Sequence, residues 1–177
     1  MTNKPLKQQF IQNFGEEKWN QEEMLEKLEP YEKIITQELI IDRLPVIVEE
    51  IQEDSRLDLK NMCIIISKEK IKNQKEALKC LTHEYRHFYQ LVVIGDETST
   101  HPLKQTWKES LEQYKETTSL SPEELEESYL INPLELDAFA YTKYFFQKHI
   151  NQDLLCFALE IEDILNLYIA KYINNGL

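Results

Sequence analysis

The chain predicts an α+β fold, predominantly helical with a small sheet. Three observations carry this. Several long stretches repeat apolar residues at the 3.6-residue period of a helix. Glycine occurs only three times among 177 residues, too rarely for an all-β chain with many tight turns. A single β-branched run, Met62 to Ser67, is bounded by polar residues and reads as a strand.

The elements follow in order. Gln21 to Leu28 carries Met24, Leu25 and Leu28 at helical spacing, and Glu29-Pro30 is expected to break it. Tyr31 to Ile41 then reads as a second helix, with Ile34, Ile35, Leu39 and Ile40 as its buried stripe. Pro45 to Glu50 suits either state; Val46, Ile47 and Val48 favour a strand, but the flanking glutamates tip the reading to helix. Asn73 to Ile94 is the strongest helix. Leu81, Tyr85, Phe88 and Val92 form its expected core stripe, His83 and His87 lie on the adjacent stripe, and Gly95-Asp96 ends it. Leu103 to Tyr114 is a helix carrying Trp107 and Leu111. Ser121-Pro122-Glu123-Glu124 has the form of a helix N-terminus, and Glu123 to Glu127 of a solvated face. Asn132-Pro133 marks a break before a helix from Leu134 to His149, and Leu154 to Ile173 is a final amphipathic helix. Residues 1–58 are expected to form an N-terminal helical extension packed on a core domain, 59–177.

Bulk properties narrow the function classes. Hydrophobic residues make up 42% of the chain, enough for one domain with a sizeable core. The net charge is −12, from 32 acidic and 20 basic residues. So acidic a chain repels phosphate backbones and anionic membranes, which argues against nucleic-acid and membrane partners. No apolar run approaches the roughly 18 residues of a membrane span. The first residues lack the apolar segment of a secretory signal, so the expected location is the cytoplasm. Cys63, Cys80 and Cys156 lie in apolar runs without a C-x-x-C pair and read as buried thiols.

The chemistry concentrates at His83-Glu84-Tyr85-Arg86-His87, an H-E-x-x-H sequence. On a helix, residues i and i+4 share a face, so both imidazoles can reach one metal ion. Glu84 lies beside that ion, where it can take a proton from water. A catalytic zinc site needs a third protein ligand. The solution H-E-x-x-H-x-x-G-x-x-H is excluded, because Gln90 and Val93 stand where glycine and histidine would. A glutamate from a later helix is the other solution, and Glu135 is the leading candidate. It stands in Asn132-Pro133-Leu134-Glu135-Leu136-Asp137-Ala138, at the start of a helix, where the dipole favours ionised acids. The small Ala138 permits close helix approach, and Asp137 is positioned to accept a hydrogen bond from the non-ligating nitrogen of a histidine ligand.

H-E-x-x-H followed by P-x-E-x-D-A resembles the gluzincin-type zinc metallopeptidases, in particular small bacterial and phage forms similar to ImmA/IrrE-type and minigluzincin proteins. The resemblance covers roughly Asn73 to Phe146. It implies a zincin-like domain with a small sheet beside the motif helix. His83, His87 and Glu135 would bind zinc, and Glu84 would be the general base of peptide hydrolysis. The partner would be a peptide or protein substrate, pairing with an edge strand at Met62 to Ser67. Larger gluzincins often carry aspartate four residues after the ligand glutamate, where this chain has Phe139.

Tyr141, Tyr144, Tyr129 and His149 are the candidates for a donor to the tetrahedral oxyanion. His149 also suits a helix C-terminal cation. Arg86 reads as a surface ion-pair residue and His101, before Pro102, as an exposed loop residue. Tyr141, Tyr144, Phe145 and Phe146 read as core. The competing function is a weakly active or latent zinc-binding regulatory protein on the same fold.

Overall fold

The structure, a computed structural model, describes residues 20–114, 131–152, 154 and 159–175. Two compact units divide the chain: Met1–Tyr85 with Thr142–Leu154, and Arg86–Tyr141 with Leu155–Leu177. The expected helix start at Ser121 and the acidic face Glu123 to Glu127, together with Tyr129 and Cys156, lie outside the described residues.

The first unit opens with helix α1, Gln21–Leu39. Asn20 caps it, its Oδ1 accepting from Glu23 N at 3.0 Å while Glu23 Oε2 accepts from Asn20 N at 3.2 Å. This reciprocal box satisfies two of the end's orphan amides. The expected break at Pro30 does not occur; the helix runs through it. Met24, Leu28, Tyr31, Ile35 and Leu39 are all buried at a steady helical spacing. That continuous stripe outweighs the hydrogen bond that Pro30 cannot donate. Ile40 ends the helix in the left-handed region at φ 54°.

Strands β1 (Val46–Glu49), β2 (Ser55–Asp58) and β3 (Cys63–Ser67) form one sheet in the order β1-β3-β2. Val46 to Glu49 is therefore a strand, correcting the helical reading. Its pattern is locally ambiguous, and pairing decides: Val46, Ile47 and Val48 lie parallel to Ile64, Ile65 and Ile66. β2 runs antiparallel on the other side, Ser55 opposite Ile66. All five residues of β3 are buried, as a central strand covered on both faces requires. The expectation that this strand is an edge open to a peptide is thereby overturned; β1 and β2 flank it.

Helix α2 spans Gln74–Gly95 and passes from the first unit into the second after Tyr85. Asn73 caps it, Oδ1 accepting from Lys75 N and Glu76 N. Leu81 and Tyr85 are buried as expected, with Leu78 beside them, while Phe88 is half-buried. Beyond Tyr85 the buried stripe turns: Val92 is 43% exposed, while Arg86, Gln90 and Val93 are buried. Polar partners described below make that burial affordable, which hydrophobic patterning alone does not register.

In the second unit, α3 (Lys104–Tyr114) contributes Trp107 to a core with Val93 and Leu134. Helix α4 (Pro133–Phe145) has Asn132 as its cap and proline at its first position; Asn132 Oδ1 accepts from Leu134 N at 2.8 Å. Its last residues re-enter the first unit and continue as a π-helical turn, Phe146–Ile150. Helix α5 (Leu159–Asn175) buries Leu165, Ile169 and Tyr172 at helical spacing. No described helix is long and apolar enough to cross a membrane.

Candidate metal centre

His83 and His87 sit one turn apart on α2, and Glu135 is the third residue of α4. Each offers one ligand atom, and the three atoms lie within 4.8 Å of one another. This His-His-Glu group is a set that could hold a metal ion, on the residues the sequence singles out. His87 Nε2 and Glu135 Oε2 are 3.4 Å apart. Glu135 is only 8% exposed and lies in the N-terminal turn of α4.

The orientation of His87 is set from behind. Its Nδ1 lies 2.9 Å from Gln90 Oε1. Gln90 Nε2 donates to the Leu134 carbonyl at 2.9 Å and to Asp137 Oδ2 at 2.7 Å. Asp137 is the hub: Arg86 Nε donates to Oδ2 at 2.7 Å, Arg86 Nη2 to Oδ1 at 3.1 Å, and the Tyr172 hydroxyl to Oδ1 at 2.6 Å. Asp137 thus reaches His87 through Gln90, rather than by the direct bond the sequence suggested. In the sequence Gln90 does no more than exclude a glycine at its position; in the fold it faces His87.

Arg86 is fully buried, not a surface residue. Its guanidinium lies 4.7 Å from the Tyr89 ring centroid, 5.1 Å from those of Tyr141 and Tyr172, and 5.4 Å from that of Trp107. Burial works against its charge, but the Asp137 carboxylate prevails and holds its pKa above the ordinary value. Burial and the same carboxylate push the Tyr172 hydroxyl well up, keeping it a neutral donor.

In the first unit, Glu84 is buried and its Oε1 accepts from Ser55 Oγ of β2 at 2.7 Å. The neighbouring Tyr85 hydroxyl donates to Glu32 of α1 and accepts from Leu44 N at 3.0 Å. Cys63 and Cys80 are buried free thiols, and burial pushes the Cys80 thiol up to about 12.

The remaining candidates have other engagements. Tyr141 is buried against Arg86 and Tyr172. Tyr144 lies under the Lys148 ammonium, and His149 Nε2 is 2.9 Å from Glu38 Oε1. Lys148 and His149 together hold the Glu38 carboxyl below its ordinary range, although burial opposes them. His101 is not an exposed loop residue: it is half-buried and stacks on Trp107 with centroids 4.5 Å apart.

Neither a family model, a curated protein nor a solved structure matches the chain.

Proposed function

We propose that the protein is a zinc-dependent peptidase of gluzincin type on a zincin-like fold, with His83, His87 and Glu135 as ligands and Glu84 as general base. The convergence of two imidazoles and one carboxylate carries the reading. Two histidines and a glutamate are a known donor set of catalytic zinc, leaving a fourth position open. His87 Nε2 and Glu135 Oε2, 3.4 Å apart, are close enough to share one ion. A zinc ion held there supplies Lewis acidity and makes water in its open position easier to deprotonate.

The chain's own residues do the rest. Glu84 follows His83 directly, and Ser55 fixes one of its oxygens, so the carboxylate is held in place to accept a proton from the attacking water. It can then pass that proton to the leaving amine. An extended peptide would pair along β2, which among the described residues bonds only β3, instead of along β3 itself. Ser55 puts that strand in direct contact with the general base.

The test is Glu84→Gln, which keeps shape and removes the base. Zinc content should stay at the wild-type level, while cleavage of a proteome-derived peptide library, read by mass spectrometry, should fall roughly 10²–10⁴-fold. A glutamine variant that cuts as fast as the wild type, or a zinc-loaded wild type that cuts nothing, would count against the assignment.

A further inference from the structure

We infer that Gln90 is a positioning residue that locks His87 in the Nδ1–H tautomer, leaving the Nε2 lone pair facing Glu135. The inference follows from counting donors. Gln90 Nε2 meets two acceptors, the Leu134 carbonyl and an Asp137 oxygen that also receives Arg86. Reversing the amide would set its oxygen against both of them. The orientation is therefore fixed, and the oxygen that faces His87 Nδ1 can only accept. Nδ1 must then carry a hydrogen, and in the neutral ring the lone pair falls on Nε2, the atom 3.4 Å from Glu135 Oε2.

Asp137 is in turn held by the buried Arg86 and by Tyr172, so the amide is anchored by a charged pair in the core of the second unit. Arg86 and His87 are neighbours in the motif, and Gln90 follows His87 by three residues on the same helix face. A single helix thus carries the ligand, its orienting amide and the cation that anchors the amide's other partner. Outer hydrogen bonds of this kind typically change metal affinity about 10–100-fold when removed.

The consequence for zinc rests on the peptidase reading; the tautomer does not. The experiment uses the full chain, chelated and labelled with nitrogen-15 in its histidines, at a pH where the imidazoles are neutral. Long-range proton–nitrogen correlation should give His87 the Nδ1–H pattern in the wild type. Gln90→Met keeps the volume and removes the acceptor, and should move His87 towards the Nε2–H pattern. Zinc titration should then show about 10–100-fold weaker binding in this variant. An Nε2–H pattern in the wild type overturns the inference without any variant being needed. So does an unchanged Nδ1–H pattern in a folded Gln90→Met protein. Should the wild type show Nδ1–H, lost in the variant, yet bind no zinc, the peptidase reading fails and the tautomer assignment stands.

Discussion

His101 shows how burial converts a loop residue into a pH-sensitive one. Its ring stacks on Trp107, its Nδ1 accepts from Leu103 N at 3.2 Å, and burial, with the charge of Arg86 nearby, lowers its pKa. In the unfolded chain the group titrates near the ordinary value of about 6.5. Below that pH the unfolded chain takes up the proton first, so stability falls as pH drops from about 6.5 towards the depressed folded value, and the loss is complete below it. His101→Phe keeps the stack and removes the titration. Denaturant midpoints from about pH 7.5 to about pH 5 should decline more steeply in the wild type than in the variant. Parallel curves would mean that His101 is protonated in the folded protein as easily as in the unfolded one. At this scale the sequence was most legible where chemistry dictates spacing. H-E-x-x-H and P-x-E-x-D-A pointed to the three residues that meet. It was least legible for Arg86 and Gln90, because a long polar side chain goes inside only when specific partners await it. Those partners, Asp137 and the Leu134 carbonyl, lie far along the chain.

At the scale of elements, the helices were legible from period and caps. Asn20, Asn73 and Asn132 each accept amide hydrogen bonds at a helix start. Two misreadings have one cause. Pro30 looked like a break and Val46–Glu49 looked helical, because local preference was weighed without the surface each segment meets. The stripe from Met24 to Leu39 carries the helix past the proline, and β3 recruits the strand. One element end carries a cost that substitution can relieve. Ile40 adopts φ 54° while its side chain is 91% exposed, so a β-branched residue pays for a left-handed conformation with no burial in return. Ile40→Gly should raise unfolding free energy by up to about 1 kcal/mol, the left-handed penalty of roughly 1–2 kcal/mol less the roughly 0.4–1 kcal/mol of glycine's unfolded entropy. Thermal or denaturant unfolding measures it, and a destabilised variant would show that Ile40 makes a contact worth more than the strain.

Across the whole molecule, four of the five motif residues are held by named partners. The two intervening residues of H-E-x-x-H are anchors. Tyr85 ties α2 to Glu32 and Leu44 in the first unit, and Arg86 ties it to Asp137 in the second. Ser55 restrains Glu84, and Gln90 restrains His87. The α+β class and the small sheet were readable from composition and one β-branched run. The order of strands was not, because register and neighbour choice depend on pairings that no local pattern specifies. His83, His87 and Glu135 together could hold one metal ion. The most direct measurement is zinc content of the full chain purified without added metal and then offered zinc, wild type beside Glu135→Ala. The wild type should hold about one zinc per chain, lost or much weakened in the variant. A wild type that takes up no zinc would contradict it.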